Sequence, residues 1–204
     1  VQGTNAVASI AAGGNPELRL DNSGAPVTSA LLAYESARRS TVFNATCVAS
    51  GVWPGTTIST TAAMALQCAD ASAYNLVLIG VRAAYVSGTL GAGFHALISH
   101  VAGADFTGTA ITPISSRLGS GTAVGLPFYT ATVPSGGTIV RALWSTLPVL
   151  ATTAVGFPTL EADLTNHPII LTPGTGISLQ GTVGAGTSPL MIYTFTWVEV
   201  LIPA

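Results

Sequence analysis

The stretch SPLMIYTFTWVEVLIPA, residues 188–204, sets Met191, Tyr193, Phe195 and Trp197 at alternate positions, with Ile192, Thr194, Thr196 and Val198 between them. Successive side chains of a β-strand point to opposite faces, so each set lines one face. The first face is bulky and aromatic; the second is β-branched and only half polar. A strand with one side in water alternates apolar with polar or charged residues, whereas Glu199 is the only charge in this stretch. The segment therefore reads as a strand covered on both sides, on the aromatic side by its own core and on the other by a second copy of the chain. Ile192, Val198 and Val200 become candidates for a subunit interface, and Glu199 falls on the core side.

Outward from this strand, the text from Cys47 onward is a succession of short runs rich in Val, Ile, Thr and aromatic residues, separated by Gly, Pro, Ser and Thr. Strands are expected near residues 41–49, 57–68, 74–86, 94–101, 127–133, 138–146, 168–171, 176–181 and 190–202. Such a series predicts an all-β chain, a single jelly-roll β-sandwich of about eight antiparallel strands. Two turns repeat each other, GTLGAG at residues 88–93 and GTVGAG at 181–186, and are expected as related hairpins at one end of the sandwich. Neither opens a helical pattern, which sets them apart from a phosphate cradle. Residues 1–37 lack strand alternation and read as an extended N-terminal arm, with 38–204 as the jelly-roll domain. Leu18, Leu20, Leu31, Leu32 and Tyr34 punctuate the arm and mark it as docking on a partner surface rather than as a solvated tail. The one helix candidate is VTSALLAYESARRS, residues 27–40, with Thr28 or Ser29 as its cap.

Composition points the same way. The 204 residues are 49% hydrophobic and 7% charged, with a formal net charge of -2. A typical soluble domain carries about 25% charged residues, so much of this surface is built to be covered. Aliphatic runs such as LVLIGV, residues 76–81, are far short of the ~20 residues of a spanning helix, and the charges that a barrel lumen needs are missing. Assembly, not a membrane, is the expected cover. The six basic residues are all Arg and scattered except for Arg38-Arg39, which argues against nucleic-acid binding. The opening VQGTNAVASIAAGG does not read as a secretion signal, since no charged n-region precedes an apolar h-region in it. Cys47 and Cys68 fit no metal spacing and read as buried free thiols, with a disulfide as the alternative.

No catalytic, cofactor or metal constellation is visible. His95 and His100 differ by an odd number of positions and point to opposite faces of one strand, and His167 stands apart. No G-x-S-x-G occurs, and Glu161 and Asp163 are the only close carboxylates, on what reads as a solvated loop or short helical turn. The chain is expected not to be an enzyme. Arg82, Arg141 and Glu199 each interrupt an apolar strand, and a buried charge needs a partner. A buried ion pair of Glu199 with Arg82 or Arg141, within the chain or across an interface, is therefore expected.

The segments RRSTVFNATCVASG, ASAYNLVLIGVRAAYVSGTLGAGF and HPIILTPGTGISLQGTVGAGTSPLMIYTFTWVEVLIP resemble the small jelly-roll structural proteins of tailed bacteriophages, over about residues 38–202. The resemblance implies a virion protein made in the host cytoplasm, a homotrimeric cement or decoration protein on the capsid exterior, bound where major capsid protein subunits meet. It brings no catalytic residues. The alternative is a trimeric head-fibre or tail receptor-binding tip built on the same sandwich. A small RNA-virus coat protein would bring a basic arm, and a cupin-type enzyme several converging His; neither is present.

Overall fold

The computed structural model describes residues 37, 39–101, 105–119, 121–146, 160–182 and 188–202. Leu18, Leu20, Leu31, Leu32 and Tyr34 lie outside these, and so does most of the 27–40 helix candidate; the strands belong to the unit Ser36–Ala204. The β-branched and aromatic runs become strands because such side chains pack well on a pleated surface. The described residues form twelve: β1 (Val42–Thr46), β2 (Thr61–Cys68), β3 (Tyr74–Ser87), β4 (Gly93–His100), β5 (Thr107–Ala110), β6 (Ile114–Ser115), β7 (Gly125–Thr132), β8 (Thr138–Thr146), β9 (Leu160–Asp163), β10 (Ile169–Leu171), β11 (Gly176–Gly181) and β12 (Leu190–Leu201).

Their pairing is that of a double ribbon rolled up. In the ribbon, β1 pairs with β12, β2 with β11, β3 with β9 and β10, and β4 with β8, all antiparallel. Rolling adds β12 to β3 and β11 to β4. Sheet 1 then runs β10-β3-β12-β1-β6, with β9 also on β3, and sheet 2 runs β5-β7-β2-β11-β4-β8. The eight-lane framework is a jelly-roll sandwich, with β9 and β10 sharing a lane beside β3. The excess over the expected strands comes from β5 and β6, too short to leave a pattern, and from β9. β7 and β5 lengthen sheet 2 beyond β2, and β6 lengthens sheet 1 beyond β1.

The core lies between the sheets. Sheet 1 contributes Phe43, Leu76, Leu78, Val81, Met191, Tyr193, Phe195 and Trp197; sheet 2 contributes Met64, Leu66, Leu97, Ile177 and Leu179. Phe43 and Trp197, opposite each other in register, stack with ring centroids 6.0 Å apart. Burying each such side chain stabilises the fold by ~2–3 kcal/mol. Cys47 and Cys68 are free and buried, and burial pushes both thiols above their ordinary pKa.

The repeated turns are not hairpins. The first leads from β3 in sheet 1 to β4 in sheet 2, and the second joins β11 in sheet 2 to β12 in sheet 1. Each therefore crosses the sandwich, as the rolled topology demands. Residues 183–186 of the second lie outside the described residues, but its first residues meet the end of the first turn: Thr182 N donates to Phe94 O at 3.0 Å and Phe94 N to Thr182 Oγ1 at 3.1 Å. A Cβ on Gly93 would come within 2.6 Å of the Thr182 carbonyl, so this approach requires glycine.

Candidate assembly surface

The antiparallel registers place the outward residues of sheet 1 in rows that cross four strand lanes. One row is Val42, Val198, Val77 and Ile170. Val42 is buried, Val198 and Val77 are half-buried, and Ile170 is 57% exposed. Val200, 46% exposed, stands beyond this row opposite Asn75, whose buried Oδ1 has no hydrogen-bond partner. The result is an apolar band across the sheet.

The adjoining rows are polar and satisfy themselves. Asn44, Thr196, Gly80 and Asp163 form one, and Thr46, Thr194, Arg82 and Glu161 the next. Thr196 Oγ1 donates to Asn44 Oδ1 at 2.8 Å, and the Thr46 and Thr194 hydroxyls are 2.9 Å apart. Arg82 Nε and Nη2 donate to Glu161 Oε1 at 2.9 and 2.7 Å. The Thr165 hydroxyl and amide donate to Asp163 Oδ1, holding that carboxyl below the usual range. Groups already hydrogen-bonded laterally ask little of a partner, which leaves the apolar band as the part of this face that gains most from being covered.

The three interface candidates do not stay together. Val198 and Val200 fall in the band, whereas Ile192 lies beyond the hydroxyl rows, opposite Ala84, and packs against the core cluster. Val42, Val77 and Ile170 were missed. Each has outward parity on its own strand, but only the register shows that they join Val198.

The expected buried ion pair does not form within the chain. Arg82 is on the outer face and pairs with Glu161, with side chains 59% and 52% exposed. Arg141 is on β8 in sheet 2, opposite Leu97, while Glu199 is in sheet 1. Glu199 points inward, 6% exposed, and its Oε1 accepts from Val124 N at 2.8 Å, Gly125 N at 3.0 Å and Trp197 Nε1 at 3.1 Å. Backbone and indole N–H groups near the start of β7 thus replace the Arg. The loop reading of Glu161 and Asp163 also gives way, since both lie on β9.

The histidines separate as their parity requires. His95 enters the core, where Nε2 lies 2.8 Å from the Tyr193 hydroxyl, and burial pulls its pKa down to about 4. His100 is on the opposite face of sheet 2, its Nε2 2.8 Å from Ser178 Oγ, and burial lowers it too. His167 is exposed in the turn before β10. Among the described residues no three His, Cys, Asp or Glu side chains gather as metal ligands. No protein-family model, curated protein or solved structure compared with the chain matches it.

Proposed function

We propose that the chain is a virion structural protein: a homotrimeric cement protein that binds the outer surface of an assembled phage capsid and stabilises it. The observation that carries the reading is the apolar band on the outer face of sheet 1, in a chain with only 7% charged residues. Such a face favours a protein partner over water. The rolled sandwich and the segments that resemble phage jelly-roll proteins support the same role. A cement protein acts by binding the assembled lattice and not the separated subunits, so its binding free energy adds to shell stability by mass action. A trimer that engages several lattice sites at once adds avidity.

The test is to add purified protein to capsids that lack it and to follow bound protein and the temperature at which the shell opens. Saturable binding with a rise in that temperature is expected. A protein that forms no trimer and leaves capsids unbound and no more heat-resistant sinks the proposal. Immunogold labelling confined to tail tips transfers the same fold to receptor binding.

A further inference from the structure

The link between β1 and β2 carries an indole that the core does not use. Trp53 is 48% exposed, yet the backbone around it is fastened to the sandwich. Val52 exchanges two backbone hydrogen bonds with Met191, at 2.8 and 3.0 Å. The Pro54 carbonyl accepts from Gly181 N at 2.9 Å, and Ser59 N donates to Gln180 Oε1 at 2.8 Å. Gly55, with φ +89°, turns the chain between these anchors. The indole is therefore presented on fixed backbone, so a ligand meets it with little ordering cost.

Beside it lies a cavity of about 150 Å³ lined by Trp53, Thr56, Thr57, Thr61, Ala62 and Ala63 among others, none of them charged. The backbone anchors are spent inside the fold, and the exposed Ser59 hydroxyl is engaged with Thr61, accepting from its N at 3.1 Å and donating to its O at 3.4 Å. Recognition is left to an aromatic face and the Thr hydroxyls, each able to donate and to accept. An anionic ligand finds no cation in this lining. A wholly apolar one strips water from the hydroxyls and returns no hydrogen bond. What fits both is a flat ligand with an apolar face and a rim of hydroxyls. The cavity is smaller than the ~300 Å³ at the lower end for drug-sized ligands, which sets the size at a single ring.

We propose that the Trp53 pocket binds a neutral hexopyranose, one sugar unit of a glycan, with the C–H face of the ring stacked on the indole and its hydroxyls on Thr56, Thr57 and Thr61. A protein segment capping the same indole is the competing occupant, but the small, threonine-lined, uncharged cavity favours the sugar. This site lies on the β1–β2 link and does not depend on what covers sheet 1.

The experiment titrates the intact protein with glucose, galactose, mannose and N-acetylglucosamine, with sorbitol and glucuronate as acyclic and charged controls. Saturation-transfer NMR with irradiation of the aromatic protons is the readout. At least one neutral sugar is expected to receive transfer, strongest at the protons of one ring face, with neither control doing so. Trp53→Ala is expected to weaken binding by about tenfold or more, and the paired change Thr56→Val with Thr57→Val to weaken it while leaving the indole in place. Circular dichroism and the melting temperature verify that each variant folds. Absence of transfer to every sugar in the panel overturns the proposal, as does transfer that survives Trp53→Ala. Loss of self-association in Trp53→Ala, with no sugar effect in the parent, makes the indole a subunit contact and overturns it equally.

Discussion

Glu199 shows how an anion is kept inside a sandwich without a cation. Its carboxylate faces three N–H donors, and the geometry depends on Gly125, where a Cβ would lie 3.0 Å from Trp197 Nε1 and 3.1 Å from Leu76 Cδ1. Glycine lets that backbone press against the indole so that both present N–H groups to one oxygen. Replacing the carboxylate by a methyl group leaves several buried donors unsatisfied, each costing ~1–3 kcal/mol. Glu199→Ala is thus expected to destabilise the fold by ~3 kcal/mol or more, and Glu199→Gln, which keeps an acceptor oxygen, by distinctly less. Urea unfolding midpoints of the two variants check this; equal losses contradict it. The alternation of residues 188–204 did make the inward side of Glu199 legible. Its partners were not, because two are backbone amides 74 and 75 positions away, and a main-chain donor leaves no mark in the side-chain pattern.

The sheet-1 face shows what a strand pattern tells and what it withholds. Long strands such as β3, β8, β11 and β12 are legible from their alternation or β-branched runs. β9 is not, because LEAD carries two carboxylates; its outward Glu161 is answered by Arg82 of β3 and its Asp163 by Thr165, so the charges sit comfortably on a strand. β6, Ile114–Ser115, is too short for any periodicity. The band of Val42, Val198, Val77, Ile170 and Val200 belongs to the sheet and not to any one strand, which is why only Val198 and Val200 were found in advance. Val200 and Ile170 are exposed enough that charges there leave the monomer fold intact, with a stability change of about 0.5 kcal/mol or less at each position. The pair Val200→Asp with Ile170→Asp is expected to abolish self-association or capsid binding while the chain stays folded, as its circular dichroism spectrum shows; loss of self-association lowers the melting temperature only by the stabilisation that the partner subunits supplied. Light scattering after size exclusion and the capsid assay measure it. Unimpaired assembly and unimpaired capsid binding together would remove the band from both roles.

At the scale of the molecule, the sandwich keeps two imidazoles neutral, His95 between the sheets and His100 on the far side of sheet 2. An unfolded His takes up its proton near pH 6.5, whereas native His95 does so only at about 4. Between these values the unfolded chain binds more protons, so stability rises with pH there and is lost on acidification. His95 alone removes ~3 kcal/mol by the time the pH has fallen to about 4, and His100 acts in the same direction. The melting temperature is expected to be level between pH 7 and about 8, to fall between pH 6.5 and 4, and to fall again at alkaline pH, where the unfolded thiols of Cys47 and Cys68 ionise before the buried native ones. His95→Gln is expected to flatten most of the acid-side slope, and a parent protein with a level profile down to pH 4.5 contradicts the account.

The rolled pairing has a further consequence, in time. β12 lies between β1 and β3, and Tyr193 reaches back 146 positions to Cys47. A sheet whose central strand comes from so far along the chain cannot close as it is synthesised. Until β12 arrives, β1 and β3 both offer it an unpaired edge, open to any passing strand as well. Most of the ordering entropy has to be lost before these distant pairings stabilise anything, which makes for slow folding. During that interval the newly made chain is exposed to mispairing with its neighbours, and its yield depends on how dilute, or how well chaperoned, those chains are.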